Sequence, residues 1–177
     1  MVKQVKIERF KSISSATLDL SKINVLVGTN NAGKSSVLQA LQFATSVAQT
    51  AKTYSQNVKF DKNGVWATSV YPDQLVYSPV KDPYTLAQGG VLKEDSDLGI
   101  AVSFLEDSGD IATATFRKGR NKNIAARFEG ANVGQKLASL EVLQEFLLRK
   151  KFEPSVLSAE SRLKVTPIRC FAMLSIF

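Results

Sequence analysis

The chain has 177 residues, a formal net charge of +7, 44% hydrophobic residues and no histidine. The missing histidine excludes Ser-His-Asp and Cys-His nucleophiles, histidine-containing metal sites and histidine proton relays within the chain, leaving phosphate binding, Mg²⁺ and carboxylates as its available chemistry. No apolar run approaches the ~18 residues of a membrane span, MVKQVKIERF lacks the apolar core of a signal peptide, and Cys170 has no second cysteine to pair with; these features lead us to expect a soluble cytoplasmic protein with one sizeable core and no membrane partner.

In chain order, Val5 and Ile7 alternate with Lys6 and Glu8, and Thr17, Leu18 and Leu20 form a similar extended pattern. VKIERF and ATLDL therefore read as two strands around the turn KSISS. Ile23 to Val27 (INVLV) is short, largely apolar and mostly β-branched, the composition of a buried parallel strand. It runs into Gly28, Thr29, Asn30, Asn31, Ala32, Gly33, Lys34 and Ser35, which fit the pattern G, four free positions, G, K, then S or T. Val37, Leu38, Leu41, Ala44, Val47 and Ala48 then recur at helical spacing, so a helix follows from Gly33 and fades near Thr50 to Tyr54. Strand, glycine loop and helix in this order are the context of a phosphate-binding loop.

Its chemistry follows from backbone geometry. Glycines at 28 and 33 let the turn close with N–H groups inward, and the positive end of the next helix faces the same hollow. Lys34, the catalytic candidate, would set its ammonium against β- and γ-phosphate oxygens. The Ser35 hydroxyl would complete the shell of a Mg²⁺ carried by those phosphates, with ATP as the expected cofactor. Asn31 stands where many such loops carry glycine, and asparagine tolerates left-handed backbone better than most residues. Ser36, next to Ser35, is included among the nucleotide contacts.

Residues 55–97 carry Gly64, Pro72, Pro79, Pro83, Gly89 and Gly90 too closely spaced for long elements. Trp66, Tyr71, Tyr77 and Tyr84 there are read as anchors of the loop onto the core, with base stacking as the other reading. Asp61 to Gly64 matches a D-x-x-G pattern, but no guanine-specificity motif accompanies it. Asp95-Ser96-Asp97 reads as a solvated acidic loop.

From Leu98 the pattern changes to strands. GIAVSFL, IATATFR and IAARF are separated by EDSGD and KGRNKN, giving an antiparallel meander. Ile100 to Asp107 also imitates a Walker B strand, an apolar run ending in acids, although the order Glu106-Asp107 and the turn DSGD favour a hairpin. Arg117, Lys118, Arg120, Lys122 and Arg127 cluster within eleven positions. They suit either a polyanion partner or a solvated edge protected from aggregation. A second helix is expected over roughly 137–151, ended by Pro154. The clusters VTPI and CFAMLSIF close the chain.

The short strand, Phe10-Lys11-Ser12, a second strand and then NVLVGTNNAGKSS with a helix of type L-x-A-L together resemble the amino-terminal head of the SMC, RecF and OLD (overcoming lysogenisation defect) ATPases. These are ABC-type ATPases, and the Asn30-Asn31 pair most resembles the OLD-type and defence-associated members. The resemblance nominates Lys11 and Ser12 as secondary nucleotide contacts, the other reading being an ordinary polar turn, and Asn30 as an organiser of the γ-phosphate side. It implies an α/β P-loop fold: a mixed sheet with the phosphate loop at the carboxyl end of a central strand, flanking helices, and a small antiparallel lobe at about 98–130.

Residues 1–154 are expected to form the amino-terminal lobe of such a head and 155–177 an atypical or truncated tail. A Walker B Asp-Glu, signature loop and switch histidine are not identifiable. The expected function is thus an ATP-binding module, hydrolytic when completed, of an ATPase serving DNA maintenance or anti-phage defence. A non-hydrolysing interaction domain is the alternative. The implied partners are a second copy or a completing polypeptide, with DNA or a nuclease beyond.

Overall fold

The computed structural model describes residues 2–21, 23–54, 58–60, 65–94, 99–130 and 164–167. Strands β1 (Val2–Phe10) and β2 (Ile13–Asp19) form the expected first hairpin, with Val5 opposite Leu18. Val5 and Ile7 are fully buried on one face, yet Phe10 is buried too, although strict alternation would turn it outward. The β1–β2 register is unbroken, Glu8 pairing with Ser15 and Phe10 with Ile13, but Arg9 between them has a left-handed backbone at φ 57°. That break in the extended backbone interrupts the strict alternation and lets Phe10 turn to the core.

After β3 (Asn24–Val27), helix α1 runs Lys34–Thr53. A two-stranded edge follows, β4 (Lys59–Phe60) and β5 (Trp66–Val70), then the meander β6 (Ile100–Glu106), β7 (Ile111–Lys118) and β8 (Ile124–Gly130). A last described strand, β9, spans Lys164–Pro167.

The main sheet has seven strands in the order β2-β1-β6-β7-β8-β5-β4, and every neighbouring pair is antiparallel. This corrects two expectations. The mixed sheet with a central phosphate-loop strand is not formed by these strands: among the described residues β3 lies outside the large sheet and pairs only with β9, in parallel. The meander is also no separate lobe, because β6 pairs directly with β1. The reason lies in the alternation itself. VKIERF, ATLDL and the three meander strands are each apolar on one face only, so they share one sheet with a single buried side.

That buried side is covered by α1. Phe10, Phe43, Phe116 and Phe128 form a continuous aromatic row, with ring centroids 6.4, 5.3 and 6.4 Å apart along it. Phe43 comes from the helix and Phe116 from the centre of the sheet, both fully buried. The helix also buries Thr45, Ser46 and Thr50, more of its circumference than one sheet requires. The extra cover is the segment 71–92, whose backbone bonds to helix hydroxyls: Tyr77 N–H donates to Ser46 Oγ (2.7 Å), and Thr50 Oγ1 donates to the Gln74 carbonyl (3.3 Å).

Of the four expected anchoring aromatics, Trp66 and Tyr84 pack against the core, whereas Tyr71 is exposed. The imitation of a Walker B strand is a hairpin strand: Glu106 N–H donates to the Asp110 carbonyl (2.9 Å), and Gly109 takes the positive φ of 89° that the turn needs. The acidic stretch 95–97, the D-x-x-G stretch 61–64 and the helix expected over 137–151 lie outside the described residues. No helix among the described residues is long and apolar enough to cross a membrane.

Candidate functional site

The loop from Gly28 to Gly33 joins β3 to α1. It is reached through a short connection fixed by Asn24, whose side chain accepts from Ser21 N–H (2.9 Å) and donates to the Ser21 carbonyl (2.8 Å). Expectation and structure differ in β3 itself. Val25 is 42% and Val27 50% exposed, while Leu26 packs toward the core, so INVLV is a half-covered strand and not a buried one. A strand paired along one edge with a single four-residue neighbour has little to cover its second face.

Within the loop, Asn31 has φ 71° and Gly33 φ 84°, both left-handed. Glycine meets that demand without a Cβ clash, and asparagine is among the few other residues that adopt it routinely. A Cβ on Gly28 would approach the Ala32 Cβ to 3.1 Å, so the loop closes tightly there as well. Ala32 N–H donates to the Thr29 carbonyl (3.2 Å), forming the turn that carries exposed Asn30.

The helix starts without a side-chain cap and without an acidic residue in its first turn. Its first backbone bond runs from Val37 N–H to the Gly33 carbonyl (2.9 Å). The N–H groups of Lys34, Ser35 and Ser36 precede that bond and have no intrahelical acceptor, so the positive end of a 20-residue helix opens on the loop.

Lys34 folds back over this hollow. Its Nζ donates to the carbonyls of Gly28 (2.9 Å) and Thr29 (2.7 Å), which leaves one of its three N–H donors for a ligand. Ser35 is exposed in the first turn. These residues fit a phosphate group: inward donors, a fixed ammonium and no competing carboxylate in the helix's first turn. Among the described residues no three His, Cys, Asp or Glu side chains cluster. A Mg²⁺ would therefore take the Ser35 hydroxyl, with phosphate oxygens and water completing its shell.

The Phe10-Lys11-Ser12 turn is brought to the same end of α1. Lys11 also has a left-handed backbone, at φ 51°, and its N–H donates to the Leu86 carbonyl (2.7 Å). Its Nζ donates to Gln39 Oε1 (2.7 Å). Gln39 lies four residues after Ser35, on the same helix face, so the Lys11 ammonium is held one helical turn from the loop. Ser12 is an exposed turn residue. Sequence reading did not single out Gln39; its i+4 relation to Ser35 was the available signal.

Glu106 and Asp107 lie elsewhere. Glu106 is at the end of β6 that pairs with Val2, whereas Lys11 follows the other end of the nine-residue β1. At about 3.3 Å per residue the separation is about 30 Å, too far for these acids to reach a metal on Ser35.

A left-handed glycine loop, a lysine closing over it and an uncapped helix start define a P-loop nucleotide-binding domain with α/β architecture. The chain belongs to the AAA ATPase domain family, whose model matches residues 1–146. No curated protein matches the chain significantly.

Proposed function

We propose that the chain is the ATP-binding part of an OLD/RecF/SMC-like ATPase head, in which residues 28–36 hold the triphosphate and Lys34 and Ser35 serve the γ-phosphate side and the Mg²⁺. Membership of the AAA ATPase domain family supports nucleotide binding and ATPase chemistry. The single observation that carries the site is Lys34, tethered across the loop by the Gly28 and Thr29 carbonyls at the open end of α1. When bound, Mg²⁺-ATP would supply the bond to be cleaved. This chain's residues bind and orient: backbone N–H groups and Lys34 neutralise phosphate oxygens, while Lys11, parked on Gln39, is within a side-chain swing of the same helix face.

In this reading residues 1–154 act as the amino-terminal lobe, and a second copy or a further polypeptide supplies the carboxylate that positions water. DNA or a nuclease would be the downstream partner, in maintenance or anti-phage defence. Exposed Ile23, Val25 and Val27 beside the loop suit such completion, since apolar strand faces at a site edge are normally covered.

The location of Glu106 and Asp107 in the far hairpin favours one alternative, a domain that binds ATP as an interaction switch and does not hydrolyse it alone. Calorimetric titration with Mg²⁺-ATP, beside Lys34→Ala, tests the reading. Saturable binding that disappears in a folded Lys34→Ala protein is expected. Undiminished affinity in that variant would remove the loop as the site.

A further inference from the structure

The face of the large sheet turned away from α1 carries a second candidate site, remote from the phosphate loop in the fold. Residues 67 and 69 of β5, 125 and 127 of β8, and 113, 115 and 117 of β7 alternate with the core-facing Val70, Ala126, Phe128, Ala114 and Phe116, so they point away from α1. Strand register then sets their neighbours. Thr115, Arg127, Ala67 and Lys59 form one cross-strand row through β7, β8, β5 and β4. Arg117, Ala125 and Ser69 form the adjacent row. Small side chains thus make a floor between three long cations.

The result is a cavity of about 670 Å³, within the roughly 300–1,000 Å³ typical of small-molecule sites. Among the described residues its lining includes Lys59, Arg117 and Arg127 and no carboxylate. Glu129 lies 3.5 Å from Arg127, as a rim pair with both side chains 40% or more exposed. Arg117 and Arg127 are diagonal neighbours across one strand pair, a like-charge arrangement that an anion between them relieves.

Two further features speak of more than a bare anion. Tyr71 stands at the lining with 45% of its surface exposed, an aromatic face open to a flat ring. Asn123, also on the lining, is buried and its side-chain oxygen has no hydrogen-bond partner. That acceptor lacks the donor which a hydroxyl or amino group would bring.

We propose that this cavity is a second nucleotide-binding site: phosphate on Arg117, Arg127 and Lys59, base against Tyr71, and a sugar hydroxyl or base amino group on Asn123. The same chemistry fits a free nucleotide or one nucleotide of a single strand threading past Arg120 and Lys122, exposed on the adjoining β7–β8 turn.

The test uses the full chain carrying Lys34→Ala, so that the phosphate loop does not contribute. AMP is titrated by calorimetry, and a fluorescein-labelled ten-residue oligothymidylate by anisotropy. Saturable binding of at least one probe is expected, weakened about tenfold or more by Arg117→Gln with Arg127→Gln, the loss of one or two charge-assisted bonds. Binding of AMP alone assigns a free nucleotide; binding of the oligonucleotide, with or without AMP, assigns a single strand. Failure of both probes, or binding unchanged in the double variant, overturns the site. Should circular dichroism show the double variant unfolded, Lys59→Gln on the outer strand pair is read for the same loss. Because Lys34 is absent throughout, failure here leaves the phosphate-loop reading untouched, and the reverse.

Discussion

Single residues in the loop are selected by backbone geometry before they are selected by chemistry. Asn31 at φ 71° has no glycine's freedom but bears the left-handed conformation better than any branched residue. Asn31→Gly is expected to preserve ATP affinity, whereas Asn31→Val introduces about 1–2 kcal/mol of strain and lowers affinity about tenfold; calorimetric titration of the two variants checks the contrast. Tyr84 is a separate case. Its hydroxyl is buried without a partner, and burial first, then the nearby Asp82 carboxylate, raise its pKa above the ordinary 10.0. The unfolded chain therefore loses this proton before the folded one as pH rises. Its contribution to stability is intact below pH 10 and declines as pH climbs toward the folded-state value. Tyr84→Phe is expected to gain about 1 kcal/mol at neutral pH and to flatten the alkaline decline, read from urea midpoints at pH 7 and above 10; a loss of stability at pH 7 would show that the hydroxyl has a partner after all. The glycine-lysine-serine spacing and the tolerance at Asn31 were legible in the residues alone. The left-handed backbone at Arg9 was not, because nothing in VKIERF marks an arginine, ordinarily extended in a strand, as the point where the alternation breaks.

At the level of elements, α1 is the hinge between site and core. Its Gly33 end opens on the loop, Phe43 joins the aromatic row, and Ser46 and Thr50 hold the covering segment. The helix was legible from its apolar spacing. The mid-helix hydroxyls were not legible as tethers, since threonine and serine in a helix also read as simple solvent positions or as back-bonding groups, which Thr45 and Thr50 also are. Phe43→Ala is expected to cost about 3–5 kcal/mol, because it opens the middle of the aromatic row between Phe10 and Phe116. Ser46→Ala removes the acceptor for Tyr77 N–H and is expected to cost about 1–2 kcal/mol, with limited proteolysis advancing inside 71–92 ahead of the sheet. Cleavage unchanged in that segment would mean that its apolar contacts, Leu75, Val80, Tyr84 and Leu86, hold it without the bond. INVLV misled for a related reason: composition reports that a strand is able to be buried, and only its neighbours decide whether it is.

Over the whole molecule, the two sheets differ in support, the large one packed along α1 and the small one preceding it through the loop. In a strand, alternate N–H groups point to opposite edges, so a strand with two neighbours has all of them bonded, whereas a strand with one has about half. Strands β1, β6, β7 and β8 each have two neighbours in the seven-stranded sheet, while β3 among the described residues has only four-residue β9. The pairing of β1 with β6, some ninety residues later, was invisible to local pattern, which explains why the meander read as a separate lobe. It also makes a kinetic contrast. Amide exchange in the ligand-free protein is expected to be about 100-fold or more slower at Ile7, Val102 and Phe116 than at Val25 and Val27, whose side chains are also the exposed ones. Adding Mg²⁺-ATP should slow exchange across 24–36, where the strand end, loop and first helical turn close on the phosphates, and leave the large sheet unchanged. The two outcomes that matter differ in kind. Slow exchange throughout β3 before ligand is added would mean that a further strand already covers its open edge. Fast exchange that ATP does not alter would mean that Lys34 closes the loop on its own carbonyls too firmly to admit the phosphate, and the site would then need its completing partner before it binds.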